Sequence, residues 1–420
     1  MDCPIFFLGD STEICYTERK TNIPYTGGIT MEKIRERLDA LRPEITAMVK
    51  DMHDNPELGH QEFHAMELQA ALLEKYGFTV EKGVADVKTA YIAKYKGAKD
   101  GPKIGYLAEY DALPGLGHAC GHNMIAGVAC GAAIALKDAV DQYGGEVWVV
   151  GAPAEETDGG KVYLVKAGCY DPLDAALMAH PAEVWGTSGN MYAIEPLQFE
   201  FFGKSAHAAA FPEDGINALD GVLQLFTAVN ALREHLRDSV RIHGIVKHGG
   251  EAANIVPEYA CAQFYARAES TNYLREVVEK VKRCGEGAAA CTGTTVKITN
   301  FENPYDNMMS NDTMSDRATG YLYAMGVPEG MKRVDSSGSS DVGSVSQKCP
   351  TIHSWFCATD GDDSIKVHTP AFPPCTISEA GTEAMMIQTA ALVKTGEDLL
   401  SDPEFLAAAT AEYERKLKEF

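Results

Sequence analysis

Hydrophobic positions along this chain fall into two rhythms. Over residues 30–52, Ile34, Leu38, Leu41, Ile45, Met48 and Met52 recur at helical spacing behind Thr30, a side chain suited to capping a helix. Pro43 is expected to kink or interrupt that helix. Residues 62–76 repeat the helical pattern, and Gly77 closes it. Apolar runs at residues 90–95, 103–108, 146–151 and 175–179 read instead as strands. Helical patterns at 124–143 and 161–167 separate several of them. Strands alternating with helices predict an α/β layer architecture.

Past Gly189 the texture changes. Residues 192–202 and 259–266 alternate like half-exposed strands, 216–236 and 272–285 carry helical patterns, and 295–300 reads as a further strand. The set is βαββαβ-like, a compact, ferredoxin-like α+β unit. After Asn303-Pro304 the helical pattern returns. A Ser/Gly-rich loop at 336–340, an apolar run at 351–358 and helical patterns at 378–395 and 403–417 complete the chain. The expected fold is α/β. A catalytic domain with a mixed central sheet flanked by helices is built from residues 30–189 and 304–420. A smaller α+β domain is inserted at 190–303. Residues 1–29 are expected to be an irregular extension, because the apolar patch at 4–9 has neither a basic leader nor a clear cleavage site.

Length agrees with two units, since 420 residues exceed one ordinary core. The net charge of −23 argues against nucleic acid and anionic membrane as partners. An anionic substrate would need a local cationic site to overcome that field. The cysteines number eleven, an odd count, and lack Cys-x-x-Cys pairs. Free thiols in a reducing cytoplasm are therefore expected. No apolar run is expected to reach bilayer length.

Four apolar runs lead into residues that bind metal or move protons. The run at 103–108 precedes Glu109, Asp111, His118, Cys120 and His122; that at 146–151 precedes Glu155 and Glu156. The run at 175–179 leads to His180, and the one at 351–358 leads through a polar loop to His368. Any one of these residues alone is better read as structural. Four such endings at carboxyl ends of strands point to a shared site, because α/β sheets bind ligands there. A thiol, imidazoles and carboxylates suit zinc or a similar transition metal and disfavour magnesium or calcium. Cys120 and His122, two apart in a Gly-containing loop, could share one ion or bridge two. If residues 153–156 are extended, Glu155 and Glu156 point in different directions. One can then bind metal while the other takes a proton from water. Asp111 is placed to orient a ligand imidazole.

Several segments together carry a family resemblance. They are Asp54-Asn55-Pro56-Glu57-Leu58-Gly59, Asp111-Ala112-Leu113-Pro114, His118-Ala119-Cys120-Gly121-His122, Pro153-Ala154-Glu155-Glu156, Gly203-Lys204-Ser205-Ala206-His207 and Ala253-Asn254-Ile255-Val256-Pro257. In this order, over residues 30–395, the chain resembles the aminoacylase/carboxypeptidase family of dinuclear metallopeptidases. Within it, the chain is similar to the amidohydrolase branch of auxin-conjugate and p-aminobenzoyl-glutamate hydrolases. The resemblance implies two divalent ions per subunit, zinc or manganese, with cobalt or nickel also admitted. It implies Cys120, His122, Glu156, His180 and His368 as ligands and Glu155 as general base. It further implies a lid and dimerisation role for the inserted domain, hence a homodimer. His207 would steady an oxyanion in an active site, its own or the partner's, and Asn254 and Arg267 would lie near a substrate carboxylate. Asn123 and Glu109 stand where much of the branch has Asp. The loop around Asp341 looks closest to the aminobenzoyl-glutamate and dipeptide hydrolases.

The expected activity is cleavage of an amide in an N-acyl amino acid or dipeptide-like small molecule with a free carboxylate, by a metal-activated water. Two alternatives stand beside it: an amine-releasing hydrolase acting on a C–N bond of a small aromatic or heterocycle, and a non-catalytic metal-binding protein with the same fold. His60-Gln61-Glu62-Phe63-His64 has Glu at the wrong position for a His-Glu-x-x-His zinc helix and reads as surface or supporting residues.

Overall fold

A computed structural model describes residues 28–419. Of the expected extension at 1–29, residues 1–27 lie outside the described residues. Twelve strands among the described residues form two sheets. They are β1 Thr79–Lys82, β2 Tyr91–Lys96, β3 Lys103–Ala108, β4 Glu146–Gly151, β5 Ala175–Ala182, β6 Gly186–Met191, β7 Ala193–Phe202, β8 Arg241–His248, β9 Tyr259–Ala268, β10 Thr295–Thr299, β11 Lys332–Ser336 and β12 Thr351–Cys357.

The larger sheet has the order β1-β2-β4-β3-β5-β12-β6-β11 and is mixed. Its middle strands β4, β3, β5 and β12 are neighbours and run parallel to one another. Their carboxyl ends therefore lie side by side along one edge. The strands are near-continuous apolar runs because both sheet faces are covered. The smaller sheet is antiparallel in the order β10-β7-β9-β8. Helices Ala218–Leu232 and Thr271–Thr292 pack on it around Phe199, Phe264, Leu225 and Val277, a core separate from that of the large sheet.

Two expectations are corrected here. The first helix, Met31–Asp54, runs unbroken through Pro43. Proline in a helix costs about 3 kcal/mol. Leu38, Leu41, Ile45 and Met48, buried on both sides of it, each return about 1.5–3 kcal/mol. Packing on the common core outweighs the lost hydrogen bond. The second concerns apolar length. Helix His122–Tyr143 is long and apolar enough to cross a bilayer, although 89% of its apolar window is buried inside the fold. It is a core helix made narrow by small residues. A Cβ at Gly127 would meet Val49 Cγ2 at 2.7 Å, so glycine lets the first helix pack close.

The last helix, Pro403–Glu419, closes the structure through Glu412. This carboxylate accepts from the backbone N–H groups of Asp312 (2.7 Å) and Thr313 (2.8 Å) and pairs with Lys416 at 2.7 Å. Burial works to raise its pKa, but Lys416 and Thr313 outweigh burial and hold it at about 2. A carboxylate depressed by folding stabilises the fold above the usual carboxylate range and loses that contribution as the pH falls toward 2. Glu412→Gln is expected to cost about 2 kcal/mol at neutral pH, with the gap shrinking in acid. Urea unfolding of both proteins at neutral pH and near pH 3 checks this; an equal gap at both would contradict it.

Candidate metal centre

The chemistry-bearing loops leave the four parallel strands at their shared edge. After β3, Glu109 and Asp111 are almost fully buried. The chain then turns at Gly121, whose φ is +79°, and His122 opens the long core helix. A Cβ at Gly121 would meet Pro181 Cγ at 2.4 Å, so the His122 loop can lie against the end of β5 only with glycine there. His180 lies within β5 rather than after it, because the strand extends to Ala182. His368 adopts a left-handed conformation (φ 63°), and its N–H donates to the Ala119 carbonyl at 2.8 Å. That bond ties the last loop to the one carrying Cys120.

Residues 153–156 are not extended, contrary to expectation. The Ala154 carbonyl accepts from the N–H groups of Asp158 (3.1 Å) and Gly159 (2.8 Å), which winds Glu155 and Glu156 into a turn. Ala154 itself has φ 59°, and its N–H donates to Glu62 Oε1 at 2.8 Å. Glu62 is therefore a buried clamp on this turn, a role its His-rich sequence surroundings do not reveal. Its neighbours in that motif are engaged elsewhere: His60 faces Asp158 at 3.3 Å and His64 faces Asp51 at 2.6 Å. Both glutamates keep a carboxylate oxygen within 4.8 Å of a His122 ring nitrogen, and Glu155 also has an oxygen within 4.8 Å of Glu109 and Asp341.

Cys120 sits at the centre of the cluster. Its Sγ lies 3.4 Å from His180 Nε2 and 3.1 Å from His368 Nε2. Glu156 Oε1 lies 3.0 Å from His368 Nε2 and 3.8 Å from His122 Nε2. Ligand atoms of Cys120, His122 and His180 all fall within 4.8 Å of one another, as do those of Cys120, Glu156 and His368. Asp111 Oδ1 holds His122 Nδ1 at 2.8 Å, and the Pro181 carbonyl holds His180 Nδ1 at 2.7 Å. Both rings thus turn Nε2 into the cluster, the orientation ligand imidazoles take. Asp111 Oδ2 also accepts from the Glu156 N–H at 3.1 Å. His118 belongs to none of these groups.

The three residues expected around substrate divide. The Arg267 guanidinium, half-buried, donates to Ser339 Oγ at 2.9 Å, beside the Asp341 loop. His207 and Asn254 are exposed on the smaller unit, where His207 Nδ1 accepts from the Ala209 and Ala210 N–H groups. No hydrogen bond or ion pair among the described residues joins either to the cluster. Sequence reasoning missed Lys161 altogether. Its ammonium, fully buried, lies between Glu109 Oε1 (2.5 Å) and Asp341 Oδ1 (2.6 Å).

Electrostatics separate the two glutamates. Burial pushes the Glu155 carboxyl well above the usual range, and the charges of Glu109, Asp341 and Glu156 add to that push. Such proton affinity suits a group that accepts a proton from water. For Glu156, burial also works upward, but His368 and His122 hold it at about 2. It stays a carboxylate, the ligating form. Burial keeps the His180 imidazole neutral, helped by His353 and His122.

The donor set fits a metal. His122 Nε2 and Glu109 Oε2 are buried without a hydrogen-bond partner, although they lie 3.4 Å apart. Leaving such groups unpaired costs about 1–3 kcal/mol each. A cation facing them would remove that cost. It would also stabilise the thiolate of Cys120, whose pKa burial raises.

Comparison with known proteins agrees. Residues 106–390 match the model of peptidase family M20/M25/M40. The chain belongs to this peptidase family. Xaa-Arg dipeptidase of Mus musculus is 33% identical over 399 residues, covering 91% of this chain and 92% of that one. A p-aminobenzoyl-glutamate hydrolase chain of Escherichia coli is 35% identical over 318 residues, covering 70% of this chain and 65% of that one. Among solved structures, a dinuclear metal-binding peptidase of Bacillus subtilis superposes with a TM-score of 0.64 at 21% identity, covering 86% of this chain and 99% of that one. As a member of the M20 peptidases, the chain is a metal-dependent hydrolase.

Proposed function

We propose that this M20 enzyme is a two-metal amidohydrolase acting on an N-acyl amino acid or dipeptide-like compound with a free carboxylate. The observation that carries this reading is the convergence of Cys120, His122, His180, Glu156 and His368 at one sheet edge, with Glu155 beside His122 and Glu156 and also beside Glu109 and Asp341. Those five would hold two divalent ions, zinc or manganese, with cobalt or nickel as further candidates. Ions there supply Lewis acidity to the scissile carbonyl and to the attacking water. Glu155 accepts the proton of that water at its carboxylate and returns it to the departing nitrogen. Asp111 fixes the tautomer of His122 through Nδ1.

Residues 190–303 are assigned as a ferredoxin-like lid and dimerisation domain, inserted into a catalytic domain of 30–189 and 304–420. The edge strand β8 exposes Ile245 and Val246, which supports a partner copy on that side. His207 then reaches the partner's site to steady the oxyanion. Arg267 and Asn254 receive the substrate carboxylate, Arg267 supplying the local positive charge that an otherwise acidic chain needs. Nine free cysteines among the described residues agree with a cytoplasmic setting.

The dipeptidase and aminobenzoyl-glutamate hydrolase relatives narrow the candidate substrates to dipeptides and aminobenzoyl-glutamate. Incubation with p-aminobenzoyl-glutamate, N-acetyl amino acids, dipeptides and their C-terminal amides tests this. Release of the amino acid from the free acids, and not from the amides, is expected. Ammonia released without an amino acid would favour the amine-releasing alternative and contradict the proposal.

A further inference from the structure

Among the described residues, Lys161 is the one fully buried lysine that the proposed chemistry does not use. It opens the short helix Gly160–Lys166, immediately after the turn that carries Glu155 and Glu156. Asp341 grips it twice. Asp341 Oδ2 accepts from the Lys161 backbone N–H at 2.9 Å, and Oδ1 accepts from its ammonium at 2.6 Å. The ammonium donates on its other side to Glu109 Oε1 at 2.5 Å. Oxygens of Glu109, Glu155 and Asp341 lie within 4.8 Å of one another.

Three carboxylates so close repel one another unless a cation lies among them, and in a buried place water cannot screen them. Here the cation is covalently part of the chain. The backbone leaves little freedom around it: a Cβ at Gly160 would meet the Pro153 carbonyl oxygen at 2.0 Å. The Tyr305 hydroxyl lies 3.4 Å from the Glu155 carbonyl oxygen. Lys161 and Asp341 thus tie the far end of the Glu155-Glu156 turn to the Ser339–Asp341 loop, while Glu62 clamps its near end at Ala154.

We infer that Lys161 and Asp341 are positioning residues that fix the Glu155 carboxylate for proton transfer, with Lys161 serving as a built-in cation where a third metal ion would otherwise be required. This rests on Glu155 being the general base. Neither residue belongs to the cysteine–histidine groups, so the inference predicts a loss of rate without a loss of metal.

The test measures kcat, KM and bound metal for Asp341→Asn, for the double variant Lys161→Met with Asp341→Asn, and for Glu155→Gln. Asp341→Asn is isosteric and leaves Lys161 paired with Glu109, so it is expected to fold. The double variant removes one charge of each sign, so the net charge of the interior is unchanged, while Glu109 loses its ammonium partner. For both, kcat is expected to fall about 10- to 100-fold, the size of effect that misplacing a reacting group by an ångström produces. KM should change less than about threefold, within the spread expected when ground-state binding is untouched, and metal content should match the parent. A wild-type kcat in Asp341→Asn, beside an inactive Glu155→Gln, would overturn the positioning role alone. So would a fall in kcat matched by loss of metal. An active Glu155→Gln would instead overturn the assignment of the base, and this inference with it.

Discussion

Glu155→Gln is expected to lower kcat by about 10³-fold or more while the protein keeps its full complement of metal. Positioned general acid–base catalysis contributes about 10²–10⁴-fold, and Glu155 is asked to act twice in the cycle. The substitution is isosteric and removes the ability to take a proton. It also removes one negative charge from a place crowded by Glu109, Asp341 and Glu156, so the variant should be no less stable than the parent. Metal should be retained because the carboxylate proposed to ligate it is its neighbour Glu156, which faces His368 and His122. Steady-state kinetics and elemental analysis of the same preparation check both halves. Turnover near the parent rate would remove Glu155 from the mechanism.

Cys120→Ala is expected to have the second-largest effect, on metal before rate. Cys120 is shared by two candidate ligand groups: one includes His122 and His180, the other Glu156 and His368. Deleting its sulfur therefore touches both places where an ion would lie, whereas losing a peripheral ligand such as His368 touches one. Bound metal should fall to about half or less of the parent, since even partners one step removed from the ion cost about 10- to 100-fold in affinity. Turnover should fall with it. The metal-free forms of parent and variant should unfold at similar temperatures, because little apolar volume is lost. Added metal should stabilise the parent far more, by mass action on the folded state. Lost turnover with unchanged metal content would contradict the bridging position.

The framework of the site was legible in sequence because it is built on buried parallel strands. Such strands have no polar face, so β3, β4, β5 and β12 stand out as short apolar runs, each ending in or leading to polar chemistry. Parallel neighbours then bring those polar residues together at one edge. Strands that were not legible lie near or at sheet edges. β6 reads Gly-Thr-Ser-Gly-Asn-Met and β11 reads Lys-Arg-Val-Asp-Ser. Their membership in the sheet comes from pairing with each other and from β6 lying beside β12, rather than from hydrophobic patterning. β8 exposes most of its residues and carries Gly244, so its pattern is equally faint.

Supporting residues were hidden for a different reason. Lys161 sits in Gly-Lys-Val-Tyr-Leu-Val-Lys, where a lysine next to apolar residues looks like the solvated side of a helix. Its partners are 52 and 180 positions away, so only the folded chain shows that it is buried. Glu62 was disguised by the two histidines flanking it, which suggested a surface motif. The expectation that Glu155 and Glu156 diverge came from assuming an extended chain. A left-handed Ala154 and a tight turn replace that extended chain, and both carboxylates stay near His122. Residues expected to touch substrate from the smaller unit are the least settled by local pattern. Arg267 reaches the Asp341 loop, while His207 and Asn254 remain on their own unit.

Metal content of the enzyme purified without chelator, by elemental mass spectrometry, tests the central claim most directly. The account predicts about two divalent transition-metal ions per chain, as a two-metal hydrolytic site requires, with hydrolysis lost on chelation and restored on adding metal back. Protein that is metal-free as isolated, takes up no ion on titration and still hydrolyses its substrate would contradict it.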